Sequence, residues 1–345
     1  MRKDLLPFLA CPVTRSPLSL QVLKENEEEV VEGILQSAIG MVYPITAGVP
    51  RLLVESFEDY SGFLSTHVPE FEQIRKQIWK NYGSIISYSQ DKNQKTKISF
   101  AFEWGLLDYN ADKIWHENRS EMTATFYKEC GFSKNEIQNK IVLDAGCGHG
   151  LLSMALANEG AAFVIGMDLG PSVDRAFAFN GNKNTHFIQA DLMFPPLRLE
   201  TFDLVHSSGV IHHTINTELS FSILHELVKK DGCFCIWLYH PISTLHHKFF
   251  TFLRPYSSRL PIHFQYVLYH IFIFPWAFLT QKIKGKKVNR RELMIDLMDA
   301  LSCEFRWEHT PKEAISWYWK RGYDNIQIST GNWFGFSVFG HKKRL

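Results

Sequence analysis

Val142-Leu143-Asp144-Ala145-Gly146-Cys147-Gly148-His149-Gly150 runs from an apolar strand through an acid into three alternating glycines. Leu151 to Asn158 follows with apolar residues at helical spacing, until Glu159-Gly160 stops it. Strand, glycine turn and helix in succession put a ligand-binding loop beyond the carboxyl end of a strand, where the crevice of an open α/β sheet lies. A dinucleotide-type G-x-G-x-x-G needs its third glycine at position 151, where this chain has Leu151. A helix start aimed at a pyrophosphate favours anions, whereas Asp144 at the strand end suits a ligand bearing an ammonium group.

Outward from this loop the period keeps switching between two and 3.6. Strands are expected at Phe163 to Met167, Thr185 to Ala190, Phe202 to Ser207 and Cys233 to Tyr239, and helices at Val173 to Phe179 and Leu219 to Lys229. Alternation of this kind implies right-handed crossovers and a mostly parallel sheet covered on both faces. Pro311 to Arg321 reads as a further helix, and Asn325 to Ser329 with Trp333 to Phe339 as a terminal hairpin around a Gly331 turn.

Asp144 to Gly150 resembles the first motif of class I S-adenosylmethionine-dependent methyltransferases, and the similarity extends from Lys140 to His240. The resemblance implies an α/β fold with a Rossmann-like sheet, mostly parallel with a terminal antiparallel hairpin, and S-adenosylmethionine as cofactor. It implies that Gly146 and Gly148 meet the methionine part, with Asp144 near its amino group. Asp168, after the second strand, would take the ribose hydroxyls, and Asp191, after the third, the adenine amine. Gly150, Leu169, Leu192, Ser208 and Glu103 complete the implied cofactor set. The competing reading of Asp168 and Asp191 is that they only cap turns. Gly209-Val210-Ile211-His212-His213 resembles the G-V-L-H-H signature of small-molecule methyltransferases related to quinone biosynthesis. Transfer from a sulfonium needs in-line approach, so positioning supplies most of the acceleration. His212 or His213 would serve as general base for a hydroxyl or acidic carbon, or else merely hold the loop or line the pocket. Asp203 starts its strand and is assigned to structure.

Upstream, Phe100-Ala101-Phe102-Glu103-Trp104-Gly105 resembles an F-x-x-E-W element that precedes the catalytic domain in some relatives. Phe102 and Trp104 read as anchors for a helical cap and connector, residues 57–134, with helices near Phe71 to Tyr82 and Trp115 to Cys130. Residues 1–56 form a small β-rich module in which Tyr43-Pro44-Ile45 and Gly48-Val49-Pro50 force the chain to double back. With Leu9-Ala10-Cys11-Pro12, these pieces resemble the small zinc-ribbon-like methyltransferase activator proteins. The further cysteines of that pattern are missing near Thr14 and between Gln36 and Ile39, so Cys11 stands alone and no metal is expected.

The methyltransferase domain is expected over 135–345, with an insertion at 242–308. Between Pro241 and Arg291 the chain has no Asp or Glu, while Lys248, Arg254, Arg259, Lys282, Lys284, Lys286, Lys287, Arg290 and Arg291 supply nine cations. Phe264 to Thr280 within it is apolar and aromatic but reads as shorter than the roughly 20 residues that span a bilayer. Three readings stay open: an ordinary packed insertion, a lid over a lipophilic acceptor, or peripheral membrane contact through 264–291.

The chain has 345 residues, 45% hydrophobic and 21% charged, which excludes a disordered tail, a collagen-like rod or a disulfide miniprotein. Lys plus Arg at 37 against Asp plus Glu at 36 leaves no global field toward nucleic acid. Six scattered cysteines without C-x-x-C and no visible signal peptide lead to an expected cytoplasmic location, with a position at the inner membrane face as the alternative. The function expected is an S-adenosylmethionine-dependent methyltransferase acting on a small organic, lipophilic or aromatic acceptor. The alternatives are an RNA or protein methyltransferase, disfavoured by the neutral charge and the lack of an N-P-P-[YF] tetrapeptide after the fourth strand, or a non-catalytic cofactor-binding or docking protein. Oligomeric state is left open.

Overall fold

A computed structural model describes residues 1–106, 119–285 and 288–344. Two sheets organise it. Four short antiparallel strands, β1 (Leu18–Asn26), β2 (Glu29–Ser37), β3 (Val42–Thr46) and β4 (Val49–Pro50), form the N-terminal sheet in the order β1-β2-β3-β4. The chain reverses between β3 and β4 at Ala47 and Gly48, both with positive φ, 48° and 80°. Cys11 is buried here with its thiol 3.4 Å from the Tyr43 hydroxyl.

Helices α1 (Ser56–Asp59) and α2 (Ser61–His67) lead into α3 (Phe71–Leu106), a single helix of 36 residues where the sequence suggests only its first third. At 1.5 Å per residue it is about 54 Å long, enough to cross the whole carboxyl edge of the main sheet. After α4 (Arg119–Cys130) the expected alternation appears: β5 (Ile141–Ala145), α5 (Leu151–Asn158), β6 (Phe163–Asp168), α6 (Ser172–Phe179), β7 (Thr185–Gln189), β8 (Phe202–Ser208), α7 (Thr217–His225) and β9 (Val228–Tyr239). The part of the expected α4 helix before Arg119 lies outside the described residues. Helix α7 stops at His225, not at Lys229, because Val228 already pairs with Phe202 as the start of β9.

The insertion supplies α8 (Leu245–Ser257), α9 (Ile262–Leu268), a π-helical turn over Tyr269–Ile273, α10 (Phe274–Ile283) and α11 (Arg290–Ser302). Lys286 and Lys287 lie outside the described residues. α9, the π turn and α10 form one continuous helix, Ile262–Ile283, of 22 residues. Its length and apolar composition would suffice to cross a membrane, which corrects the shorter estimate from the sequence: hydrogen bonding carries the helix through Gln265, His270 and Pro275. Helix α12 (Pro311–Lys320), with Thr310 as N-cap, precedes β10 (Tyr323–Gly331) and β11 (Gly335–Lys342). The hairpin turn is Asn332–Phe334, held by the Asn332 Oδ1 accepting from Phe334 and Gly335 N–H, so Trp333 belongs to the turn and not to a strand.

The seven-stranded sheet has the order β10-β11-β9-β8-β5-β6-β7. β7 to β9 are parallel throughout, and β11 and β10 close the edge antiparallel. This is a Rossmann-like class I methyltransferase sheet with a small β-rich sheet at its N-terminus. The N-terminal sheet docks on the far edge: Leu52 N–H donates to the Gln189 carbonyl, Ala10 N–H to that of Pro196, and the Arg51 guanidinium reaches Gln189 and Asp174. One continuous apolar core runs from Leu5, Leu35 and Tyr43 through Ile188 and Leu197 into Val205 and Phe234.

Candidate functional site

Strands β5, β6 and β7 end side by side, and each has an acid within two residues of its end, Asp144, Asp168 and Asp191. The loop after β5 folds tightly because Gly146, Gly148 and Gly150 have φ of 89°, 53° and 73°, a region side chains rarely enter. Each is also pressed by a neighbour: a β-carbon would strike Val210 at Gly146, Trp104 at 2.6 Å at Gly148, and Phe187 at 2.5 Å at Gly150. Gly146 lines the cavity beyond the strands. Gly148 and Gly150 act from behind, shaping the loop instead of facing the opening, because Trp104 and Phe187 occupy the space in front of them.

Asp168 accepts from the Gly148 N–H and, through its other oxygen, from the Gly170 N–H, both at 2.9 Å. Asp191 accepts from the Met193 N–H at 2.8 Å and from the Asn93 amide at 2.7 Å. Both acids therefore cap turns and line the cavity at once. Burial raises the pKa of Asp191. Leu169, Leu192 and Ser208 line the same cavity, and the Ser208 hydroxyl donates to Glu129 at 3.2 Å.

Asp144 also reaches the cavity, but its carboxylate is engaged inward. One oxygen accepts from Ser153 at 2.6 Å, and the other lies 3.9 Å from Nδ1 of His206. Glu129 of α4 meets the other ring nitrogen of His206 at 3.0 Å. Burial disfavours charge on this imidazole, yet the two carboxylates outweigh it and raise its pKa to about 10.

The cavity has a volume of about 920 Å³ and continues past Gly209 to a second cluster. His213 lines it; Nδ1 donates to the Phe305 carbonyl at 2.8 Å and Nε2 lies 3.4 Å from Asp299 of α11. Asp299 accepts a 2.7 Å hydrogen bond from the Tyr239 hydroxyl, and Arg306 lies over the Tyr239 ring at 3.7 Å. Burial lowers the pKa of His213, leaving a neutral ring. His213, Asp299 and Cys303 bring ligand-type atoms within 4.8 Å of one another. Burial, with Glu103 and Asp299 nearby, pushes the Cys303 thiol up, so it stays a donor.

Besides Gly148 and Gly150, two sequence-predicted residues are not brought to the cavity, His212 and Glu103. His212 is fully buried against Tyr239, His213 and Trp237, and burial drives its pKa far down, so it packs beneath the wall. Glu103 turns into the cap, where its carboxyl accepts from Ser99 at 3.0 Å; burial and then Asp299 raise its pKa well above the ordinary range. Ser89, Asn93, Thr96, Phe100 and Trp104 line the cavity from α3; Glu103, seven residues on from Thr96, starts on the same side of the helix, but its carboxyl is taken up by Ser99 one turn earlier and is buried there.

Residues 143–236 match the methyltransferase domain family. The chain carries a class I S-adenosylmethionine-dependent methyltransferase domain. Its methyltransferase relatives include the tRNA U34 carboxymethyltransferase of Photobacterium profundum, 25% identical over 173 residues, 48% of this chain and 52% of that one. The ubiquinone biosynthesis O-methyltransferase of Neisseria meningitidis is 31% identical over 106 residues, 28% of this chain and 43% of that one. The chain spans about half the length of the curated relatives it matches. The solved structure of magnesium protoporphyrin IX methyltransferase from Synechocystis with bound S-adenosylmethionine aligns over 73% of this chain and 97% of its own, at 12% identity and a TM-score of 0.45.

The residues of this methyltransferase domain suit S-adenosylmethionine, its cofactor. Three carboxylates line one end of a cavity large enough for a nucleoside and a second small molecule, beside a loop whose glycines admit no β-carbon. Sequence reasoning missed Asn93, Glu129, Trp237, Tyr239 and Asp299, all on the cavity wall. For Asn93 a signal existed in the four-residue spacing of α3; Asp299 comes from an insertion whose packing no local pattern announces.

Proposed function

We propose that this chain transfers a methyl group from S-adenosylmethionine to a small organic acceptor of lipophilic or aromatic character. One observation carries the reading: a single cavity joins Asp168 and Asp191 at one end to the His213–Asp299 pair at the other, with Phe100, Trp237, Tyr239 and Phe250 among its walls. The cofactor supplies an activated methyl on a sulfonium. In this reading Asp168 holds the ribose hydroxyls, Asp191 with Asn93 faces the adenine amine, and Gly146 lets the backbone approach the methionine part. The Asp144–His206–Glu129 chain fixes the loop from behind.

At the acceptor end the aromatic walls orient the acceptor in line with the methyl, which is where most of the acceleration arises. His213, neutral with its proton on Nδ1, leaves Nε2 free to take a proton released by an oxygen or carbon acceptor, and Asp299 stands 3.4 Å away to stabilise the imidazolium that forms. α8 and α11 of the insertion close this end through Phe250, Arg254 and Asp299, which supports a small acceptor over an RNA or protein segment. The test is labelled-methyl transfer into cell extract, fractionated into lipid, small-molecule, RNA and protein pools. Label in the first two supports the proposal, and label confined to macromolecules removes it.

A further inference from the structure

Helix α8 exposes Leu245, Phe249, Phe252 and Tyr256, at spacings of four, three and four, so they form one stripe. The 22-residue helix does the same with Phe264, Val267 and Ile271, then with Phe272, Trp276, Leu279 and Ile283. The π turn at Tyr269–Ile273 inserts one extra residue and moves the stripe from Ile271 to Phe272. Without that residue Trp276 would rotate by about 100° off the exposed face. The opposite face shifts in step: Gln265, Tyr269 and Phe274 are buried, the latter two in a core with Leu293, Leu297 and Leu301 of α11. Ser257 of α8 and Tyr269 both donate to the Leu301 carbonyl, at 2.8 and 3.3 Å, which fastens the two helices to one end of α11.

A soluble surface rarely carries so much contiguous apolar area, and such patches mark interaction sites. The surrounding charge names the occupant. Residues 241–291 hold nine Lys and Arg and no acid, and Lys248, Arg259, Lys282 and Lys284 are exposed among the described residues. In a two-fold dimer this patch would face itself and oppose cations with no acids to pair them. We propose that the exposed faces of α8 and of Ile262–Ile283 dock in the headgroup layer of an anionic lipid bilayer, aromatic side chains inward and lysines on lipid phosphates. The helix lies in the interface and does not cross, because crossing would strip Tyr269 and Phe274 from the α11 core.

The test is co-flotation of the full chain with vesicles of phosphatidylcholine alone or mixed with phosphatidylglycerol, at low and high salt. The chain is expected to float with the anionic vesicles and to be released by salt. Phe252→Glu with Trp276→Glu is expected to weaken binding by about tenfold for each aromatic lost. Lys282→Glu with Lys284→Glu is expected to weaken it by about fivefold per cation. In the unaltered protein, brominated lipid is expected to quench a tryptophan signal that Trp276→Phe removes, which tests the same face without a disruptive substitution. Failure to float, binding indifferent to the Glu pair, resistance to carbonate extraction from expressing cells, or a dimer that Phe252→Glu dissociates would each overturn the proposal. Vesicle binding is read without methyl transfer, so it stands or falls apart from the enzymatic reading.

Discussion

Nε2 of His206 on β8 lies 3.0 Å from the carboxylate of Glu129 on α4, with both side chains buried. Asp144, closing the central strand, flanks the other side of the ring. A buried imidazolium thus ties the first helix of the sheet domain to the strand that carries the glycine loop. Removing one member of such a group strands the rest without compensation. His206→Leu is expected to lower stability by about 3–5 kcal/mol in denaturant titration; a loss below about 1 kcal/mol would mean the ring is not charged there.

The same group sets a pH dependence. The folded pKa, about 10, exceeds the ordinary 6.5, so the stabilisation is complete below about pH 6.5 and disappears as pH rises through about 10. Melting temperature should therefore fall between pH 7 and 10.5 more steeply in the unaltered protein than in His206→Leu. Parallel profiles would refute the assignment.

Trp104 and Gly148 form a steric pair. Gly148→Ala places a β-carbon 2.6 Å from the indole at a φ of 53°, with an expected cost of about 1–3 kcal/mol from overpacking. Adding Trp104→Ala removes the collision partner, so the double variant should regain part of that loss, read as a double-mutant cycle in thermal unfolding. Strictly additive losses would place the indole elsewhere.

Asp299→Asn should lower kcat by about 10² while leaving calorimetric affinity for S-adenosylhomocysteine unchanged, since it stands at the acceptor end of the cavity. A drop in cofactor affinity with kcat preserved would assign Asp299 to the wrong end. The comparison becomes possible once an acceptor pool is labelled.

The parallel core of the sheet was legible because β5, β6 and β8 are largely apolar runs ending at or beside a glycine or an acid, and because the loop from Asp144 to Gly150 has little conformational choice. Helix α3 was legible only over its first turns. Gly83 interrupts it and Ser84 to Lys97 is mostly polar, so hydrophobic periodicity fades where the helix begins to serve the cavity. Its stripe of Ser89, Asn93, Phe100 and Trp104 lines the cavity. Glu103 shares the cavity side of α3 by helical spacing, but its carboxyl is engaged by Ser99 one turn earlier and buried, a side-chain direction that no motif encodes. His212 and His213 are adjacent in sequence and their rings pack together, yet only His213 lies on the cavity wall and His212 is buried beneath it. The Glu129–His206 and Tyr239–Asp299 contacts join segments 77 and 60 residues apart, a kind of pairing that no single-sequence period encodes.

Calorimetric titration of S-adenosylhomocysteine into the unaltered chain and into Asp168→Ala tests the cradle most directly. The account predicts saturable one-to-one binding in the unaltered protein and a loss of at least about tenfold in the variant, with an unchanged fold by circular dichroism. No binding at millimolar ligand, or equal affinity in the two proteins, would contradict it.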